Sequence, residues 1–321
     1  MGVSMITVKD LHKKYEDNVA LDGMNMSIPT ASIYGLVGTN GAGKTTVINH
    51  LAGVLRQDYG EMSFDGEDVW ENAELKDRIS VIPDELYFPM PYSLDDMGRL
   101  YSGLYGRWNE ERFREMISTF RLSNTDKLRS FSKGMKKQAA FCLAMSTMPD
   151  YLLLDEPIDG LDPIVRKQVW KYIVDDVADR QMTVLVSSHN LKEMEGICDR
   201  IGIIQSGHTV LERDMDSLRG DLHKIQVSFG SRPAAEKNGP PTEASEDNKV
   251  SDSDPYRELN VLHKESRGAV DLLLVGNTQE EIREAIEKQN PVVFDVLPLT
   301  LEEIFIHELG GDDDAINELL F

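Results

Sequence analysis

The feature that most constrains this sequence is a glycine-rich stretch between an apolar strand and a helix. The mostly apolar residues 33–37 predict a short strand, and apolar side chains recur at helical spacing from Thr45 to Leu55. The segment between them matches the pattern G-x-x-x-x-G-K-[ST]. It reads Gly38, Thr39, Asn40, Gly41, Ala42, Gly43, Lys44 and Thr45, followed by Thr46. A strand, such a loop and a helix in succession predict a phosphate-binding loop at the edge of an α/β sheet.

The residue types in this loop suit a phosphate group. Its glycines let the backbone curl so that N–H groups point inward, and the following helix adds its positive N-terminal end. Lys44 is placed to reach the β- and γ-phosphates of a nucleotide, and the Thr45 hydroxyl to hold Mg²⁺. The alternative, an ordinary glycine-rich turn, is disfavoured by the strand and helix on either side.

A second segment places two acids at the end of another strand. Tyr151 to Leu154 is an apolar run, and Asp155 and Glu156 follow it directly. Ligands of open α/β sheets bind outside the carboxyl ends of the strands, so both carboxylates are expected in that crevice. Asp155 suits indirect coordination of Mg²⁺, and Glu156 suits polarising an attacking water. Such a strand is common by itself, and its significance comes from the phosphate loop.

Two further segments carry weaker signals. His189 follows the apolar strand 183–187, at the edge expected to bind phosphate, although a single histidine is more often structural. Within the segment 131–138, Ser132 is a candidate helix N-cap, and Gly134 with its neighbouring lysines suits an anion at that helix start. An ordinary helix start explains the second segment equally well.

The order of the predicted elements indicates an α/β fold class. Residues 93–149 are expected to be mostly helical, while apolar strands alternate with helices elsewhere, which is typical of a mainly parallel sheet covered on both faces. Strands are predicted within 5–30, at 33–37, near 62–64, and at 79–82, 151–154, 183–187 and 201–204, and helices at 45–55, 163–179 and 190–197.

A separate small α+β domain is predicted near the end of the sequence. The segment 231–256 is rich in proline, serine and acidic residues, which predicts a flexible linker. A charge step occurs at the same place, because 21 acidic and 8 basic residues lie from 231 onward. Strands are expected near 258–263, 270–275 and 292–297, and helices with Thr/Glu capping boxes at 278–289 and 300–309. We therefore predict domains at 1–220 and 221–321.

Charge and composition disfavour several classes of protein. A net charge of −22 repels nucleic acid and anionic lipid at long range, so no nucleic-acid partner is expected. The uncharged apolar runs, such as 139–148, are shorter than the ~18–20 residues of a membrane span. No apolar leader is seen, so secretion is not expected. Cys142 and Cys198 lie in no metal or redox spacing, which favours buried thiols in a reducing compartment.

Together these segments resemble the nucleotide-binding domain of ABC (ATP-binding cassette) transporters, of a bacterial exporter-like type, over about residues 1–220. The phosphate loop is similar to Walker A, Asp155 and Glu156 to the Walker B aspartate and catalytic glutamate, and His189 to the switch histidine. Ser132 and Gly134 occupy the signature position, and Tyr15 that of the aromatic residue that stacks on adenine. Residues 158–162 resemble the D-loop, and residues 297–305 the closing segment of exporter cassettes.

The resemblance implies a fold and a mechanism. The fold is a P-loop core with a mainly parallel sheet, an antiparallel β subdomain and a helical subdomain at about 91–150. The implied cofactors are ATP and Mg²⁺, with Lys44, Glu156 and His189 as catalytic residues. Each ATP lies between Walker A of one cassette and the signature of a second, in a homodimer or heterodimer. Closure on ATP drives separate integral-membrane subunits, which places this chain in the cytoplasm, peripheral to the inner face of the membrane.

The sequence departs from the family pattern at two places. Lys133 and Met135 replace a glycine and a glutamine of the usual signature, a form that also occurs in some bacterial exporter cassettes. Asp84 stands where a glutamine is usual after the strand 79–82; it can accept a Mg²⁺ contact or order water but donates no amide hydrogen bond. Asp84 is equally compatible with a turn after Pro83.

Two alternative functions stay open. A soluble ATPase of the same family, acting in translation or DNA repair, is disfavoured by the single cassette, the lack of heptads and the acidic charge. A regulatory module that binds ATP with little turnover is suggested by Asp84 and the altered signature. In the transporter interpretation, Tyr101, Leu104, Tyr105 and Trp108 either form a groove for a membrane partner or belong to the core of the helical region.

Overall fold

The computed structural model describes residues 4–215, 217, 222–230, 255–301 and 303. They form two compact units, one ending at Asp214 and one beginning at Met215. Each unit has its own buried apolar cluster. The predicted boundary at 220, nearly all of the predicted linker and most of the predicted helix at 300–309 lie outside the described residues.

The first unit combines strands and helices in the alternating order that the sequence predicts. Its described strands are β1 (Ser4–Tyr15), β2 (Asn18–Pro29), β3 (Ile33–Val37), β4 (Tyr59–Phe64), β5 (Ile79–Ile82), β6 (Tyr151–Asp155), β7 (Thr183–Ser188), β8 (Arg200–Gln205) and β9 (His208–Asp214). Its described helices are α1 (Lys44–Leu51), α2 (Ala73–Lys76), α3 (Leu94–Leu104), α4 (Glu110–Thr119), α5 (Lys133–Ser146), α6 (Pro163–Arg180) and α7 (Leu191–Met194).

A mainly parallel sheet forms the centre of this unit, in the order β5-β6-β7-β3-β8-β9. All neighbours are parallel except β8 and β9. Strands β3, β6 and β7 are buried along their whole length, which is why their central residues form apolar runs instead of an alternating pattern. Parallel pairing brings the carboxyl ends of these three strands together, with Val37 beside Ser188 and Asp155 beside Ser187.

An antiparallel sheet in the order β2-β1-β4 completes the β structure of this unit. Helix α1 packs against both sheets, because Val47, Ile48 and Leu51 share one buried cluster with Leu21 of β2 and Leu153 of β6. The start of α1 is therefore fixed by the core beneath it. The mainly parallel sheet and the antiparallel β subdomain are both confirmed.

The predicted helical region contains α3, α4 and α5. Each helix is preceded by a capping residue whose side chain accepts a backbone N–H of the first turn. These residues are Ser93, Asn109 and Ser132 respectively. Helix α5 contacts α3, α4 and β5, and it is buried from Lys137 to its end. This buried face joins the helical region to the parallel sheet.

The structure differs from the predictions at a few elements. Helix α7 ends at Met194, short of the predicted Ile197, because Glu195 has an extended backbone (ψ 126°) and Gly196 then has a φ of 80°. Strand β9 was not predicted, since its exposure alternates only weakly. Both cysteines are buried as expected, and burial raises the pKa of each thiol well above its ordinary value.

The second unit is a four-stranded antiparallel sheet with one described helix. Its elements are β10 (His223–Ser228), β11 (Val261–Arg267), β12 (Val270–Val275), α8 (Gln279–Glu287) and β13 (Val293–Leu297), with strand order β11-β12-β10-β13. The α+β prediction is confirmed, and the capping box between Thr278 and Glu281 is present. The first strand after the predicted linker starts later than 258, because Tyr256 and Leu259 form a turn whose side chains enter the core.

Candidate functional site

The loop from Gly38 to Thr45 leaves β3 and enters α1 at the carboxyl edge of the parallel sheet. Gly41 and Gly43 have φ values of 83° and 113°, a region that residues with a side chain rarely adopt. Gly43 precedes α1 as its N-cap residue, so the first turn of the helix opens toward the loop. At Gly38 the restriction is space, since a Cβ would lie 2.4 Å from the main-chain oxygen of Ile204.

Lys44 is a buried cation beneath this loop. Its Nζ donates to the main-chain oxygens of Gly38 at 2.6 Å and Thr39 at 3.1 Å. The same Nζ lies 3.4 Å from Oε1 of Glu156, and the lysine side chain is only 6% exposed. A buried ammonium requires such oxygen partners, because removing it from water without them is costly. The ammonium therefore lies between the glycine-rich loop and the carboxylate at the end of β6.

A chain of short hydrogen bonds joins the ends of β6, β7 and α1. The Thr45 hydroxyl donates to Oδ2 of Asp155 at 2.6 Å, and the Ser187 hydroxyl donates to Oδ1 of the same carboxylate at 2.6 Å. In the described hydrogen bonds and ion pairs, both side-chain partners of the buried Asp155 are hydroxyls. No described cation contacts this carboxylate directly. Thr45 and Asp155 present hard oxygen atoms side by side, the ligand type that Mg²⁺ prefers.

Glu156 is held in an unusual conformation at the end of β6. Its φ of 47° is in the left-handed region, and its N–H donates to the Ser187 hydroxyl at 3.1 Å. Nδ1 of His189 donates to Oε2 of Glu156 at 2.9 Å. Oε1 is buried and accepts no hydrogen bond from the described residues, although Lys44 is nearby. This carboxylate is therefore oriented by a histidine and a lysine while keeping acceptor capacity.

The predicted signature residues lie at the start of α5. The Ser132 hydroxyl caps this helix by accepting the N–H of Met135 at 3.2 Å. A Cβ at Gly134 would lie 3.0 Å from the main-chain oxygen of Gly160, so α5 closely approaches the loop after Glu156. Ser132 is exposed, and no described contact links it to Lys44 or Glu156.

Two further predicted site residues, besides those at the start of α5, lie apart from this cluster in the described contacts. Tyr15 ends β1 with 41% of its surface exposed, and the Lys13 ammonium lies 5.6 Å from its ring centroid. Asp84 contacts Lys137 of α5, 3.4 Å from Oδ1 to Nζ, and has no described contact with Thr45 or Asp155. The structure thus brings together Gly38, Lys44, Thr45, Asp155, Glu156 and His189 and leaves these two at its periphery.

Sequence reasoning missed two side chains that organise the site. Ser187 bridges the carboxylate of Asp155 and the N–H of Glu156, and Lys137 donates to the main-chain oxygen of Glu156 at 2.6 Å. The signal for Ser187 was its place at the end of a buried strand, where a polar residue needs a partner. Lys137 carried no such signal, because a lysine near a helix start is usually solvated.

This arrangement defines a class of protein. A glycine-rich loop that opens onto a helix N-terminus, a buried lysine below it and a hydroxyl–carboxylate pair beside it are the parts of a P-loop nucleoside triphosphatase.

Comparison with known proteins identifies the family within that class. Residues 21–159 match the family model described as ABC transporter. The chain is 31% identical over 232 residues to the lantibiotic transport ATP-binding protein SrtF of Streptococcus pyogenes, covering 71% of this chain and 100% of that protein. It is 29% identical over 310 residues to the ABC transporter ATP-binding protein YtrB of Bacillus subtilis, covering 96% and 99% of the two chains.

Solved structures agree with this assignment. An ATP-binding subunit of an ABC transporter superposes with a TM-score of 0.63 at 26% identity, covering 67% of this chain and 92% of that one. The dimeric bacterial cassette MJ0796 shares the fold with a TM-score of 0.58 at 21% identity, covering 66% and 99%. The chain belongs to the ATP-binding proteins of ABC transporters, a family of ATPases.

The loop geometry predicts different costs for two glycine substitutions. Gly41→Ala introduces a Cβ with no atom within 4 Å, so only the left-handed backbone is penalised, by about 1–2 kcal/mol. Gly43→Ala adds a Cβ 2.8 Å from the main-chain oxygen of Ala20, so we expect a larger loss, of roughly 3 kcal/mol or more.

The free energy of unfolding in urea, followed by tryptophan fluorescence, measures the difference. Trp70, Trp108 and Trp170 all lie in the first unit, so the signal reports on the unit that contains the loop. Equal losses for the two variants would contradict the close approach of Gly43 to Ala20.

Proposed function

We propose that this chain binds ATP with Mg²⁺ and hydrolyses ATP as one of two cassettes that power separate membrane-embedded export subunits. The observation that carries the proposal is the cluster at the carboxyl edge of the parallel sheet, where Lys44, Glu156 and His189 are in direct contact. Thr45 lies beside Lys44 at the start of α1, and Asp155 precedes Glu156 at the end of β6; the two side chains are hydrogen-bonded to each other.

The loop residues supply binding and positioning. Backbone N–H groups from Gly38 to Thr46, with the N-terminal end of α1, would receive the phosphates of ATP, and Lys44 would exchange its carbonyl partners for phosphate oxygens. Tyr15 would stack on the adenine ring. Thr45, with Asp155 behind it, would hold Mg²⁺, which when bound neutralises charge on the β- and γ-phosphates. The prediction that Asp84 also serves the metal stays a prediction.

Glu156 is proposed as the general base. Its carboxylate would accept a proton from the water that attacks the γ-phosphorus, while the bond to the β–γ bridging oxygen breaks. His189 donates to the carboxylate oxygen that is not next to Lys44, so it orients the base. Ser187 fixes both Asp155 and the backbone of Glu156, so the metal-holding and base groups keep a constant separation.

A second cassette would complete each site. Ser132 and Gly134 lie at the exposed start of α5, apart from Lys44 in the described contacts of one chain. An N-capped helix start is suited to contact an anion. We therefore infer that these residues meet the γ-phosphate bound to the partner cassette, in a homodimer or heterodimer.

The direction of transport is inferred from relatives. SrtF is named for lantibiotic transport, and the Burkholderia orbicola protein, at 31% identity over 71% of its length, for Nod factor export. Among the described residues, no helix combines the length and apolar character needed to span a bilayer. We propose that separate membrane subunits provide the translocation path, with this chain bound to their cytoplasmic side.

The role of Glu156 is tested by Glu156→Gln. The amide cannot accept the proton from water but keeps the size of the side chain, so we expect kcat for ATP hydrolysis to fall about 100-fold or more while ATP affinity changes little. Phosphate release and binding of a fluorescent ATP analogue by the full chain measure the two effects. Asp175→Asn, at an exposed position on α6, is the matched control. An unchanged rate would instead favour the low-turnover regulatory module.

The composite site is tested by mixing two inactive variants. Lys44→Ala removes the phosphate-binding lysine, and Ser132→Arg blocks the signature. In a mixed dimer one site has both defects and the other has neither, so an equal mixture should recover about one quarter of wild-type activity. ATPase assays of each variant alone and of the mixture give the answer. No recovery would contradict a homodimeric shared site.

Membrane partnership is tested by gentle solubilisation of native membranes that contain a tagged copy of this chain. We expect a multi-span protein to co-purify in stoichiometric amount, identified by mass spectrometry. Recovery of soluble partners alone would contradict the transporter proposal and favour a soluble ATPase of the same family.

A further inference from the structure

Lys137 is a buried cation for which the proposed chemistry gives no role. It lies on α5, and its side chain is only 2% exposed. Its Nζ donates to the main-chain oxygen of Glu156 at 2.6 Å and to Oδ1 of Asp84 at 3.4 Å. Because a buried ammonium is costly without oxygen partners, these two contacts determine where the lysine head lies.

The first contact fixes the backbone of the proposed base. Glu156 has a left-handed φ of 47°, which a residue with a Cβ adopts only when its surroundings enforce it. The Ser187 hydroxyl accepts the N–H of Glu156, and the Lys137 ammonium donates to its C=O. The residue is therefore held at both of its peptide groups, once from β7 and once from α5.

The second contact supplies the negative charge that balances Lys137. Asp84 follows β5 and has a side chain that is 46% exposed, so it is partly solvated on the side away from the lysine. Its described hydrogen bond is to Lys137, which lies on the same helix as Ser132 and Gly134. The Lys137 side chain thus connects α5, the helix that begins at the signature residues, to the loop after β5 and to the main chain of Glu156.

We propose that Lys137 is a positioning residue for Glu156 and that Asp84 acts as the counter-ion of Lys137, not as a ligand of Mg²⁺. This inference rests on the proposed role of Glu156 as the base. The ion pair holds the lysine head against the Glu156 carbonyl, so the carboxylate of Glu156 is presented at a constant position. Any displacement of α5 relative to β6 acts directly on the base.

Removal of the ammonium tests the positioning role. Lys137→Met keeps the length of the side chain and leaves no buried charge unpaired at that position. We expect kcat for ATP hydrolysis to fall about 10-fold or more, because small misplacements of a reacting group are costly, while the Kd of a fluorescent ATP analogue changes less than about 3-fold. Lys137→Gln retains an N–H donor for the Glu156 carbonyl and should recover part of the lost rate. An unchanged kcat in Lys137→Met would overturn the proposal.

The variant Asp84→Asn distinguishes a role of Asp84 as the counter-ion of Lys137 from a role as a ligand of Mg²⁺. A counter-ion acts through Lys137, so the substitution should lower kcat without changing the Mg²⁺ concentration that gives half-maximal activity. In the Lys137→Met background it should have no further effect on kcat. A raised Mg²⁺ requirement, or a loss that adds fully to that of Lys137→Met, would overturn this assignment. If Lys137→Met fails to fold, the Mg²⁺ titration of Asp84→Asn decides alone.

A matched ion pair and a parallel variant complete the design. Lys171 and Asp175 form an exposed pair on α6, 3.7 Å apart, so Lys171→Met and Asp175→Asn should leave kcat unchanged. Glu156→Gln is assayed beside the Lys137 variants in the full chain. If Glu156→Gln abolishes hydrolysis but Lys137→Met does not slow it, only the positioning proposal fails. If Glu156→Gln hydrolyses ATP at the wild-type rate, the proposed function fails first.

Discussion

The hydrogen bonds that converge on Asp155 are the interaction on which the site depends. Thr45 from α1 and Ser187 from β7 donate to the two oxygens of this buried carboxylate, at 2.6 Å each. These bonds tie the phosphate loop to two strand ends that are distant in sequence. Ser187 extends the connection to the N–H of Glu156, so the proposed metal-binding and base positions share one support. Thr45, Asp155 and Ser187 therefore connect α1, β6 and β7 at the carboxyl edge of the sheet.

Charge balance explains how two lysines are buried at this site, in a chain of net charge −22. Lys44 lies against two loop carbonyls and one oxygen of Glu156, and Lys137 against the Glu156 carbonyl and Asp84. Each ammonium replaces lost water with oxygen partners, which buried charges require. The two lysines approach Glu156 differently, one at its side chain and one at its main chain. This difference is consistent with the proposed roles, in which Lys44 serves binding and Lys137 serves position.

Much of the fold followed from local patterns. The apolar runs of β3, β6 and β7 predicted a parallel sheet, since strands covered on both faces need no alternation. The capping box of Thr278 and Glu281 predicted the start of α8, and the glycine pattern predicted the loop before α1. Elements with weak patterning were missed, such as β9, whose exposure alternates little, or were misplaced, such as the end of α7, which is set by the extended backbone of Glu195. The family resemblance covered mainly the first unit; in the second it was limited to residues 297–305, and the rest was predicted only as α+β.

The sequence by itself determined which residue types form the candidate site. Gly38 to Thr45, Asp155, Glu156 and His189 were recognisable because the proposed phosphate binding and water activation need those residue types at strand ends. Only the tertiary structure decided how they are held. Ser187 and Lys137 are distant in sequence from the residues that they support, and their hydrogen bonds exist only once β7, α5 and β6 are packed. Asp84 shows the same limit, since the sequence allowed a metal ligand or a turn residue and the fold placed a buried lysine beside it. Residue types are local, whereas the partners of a buried charge are set by packing between elements.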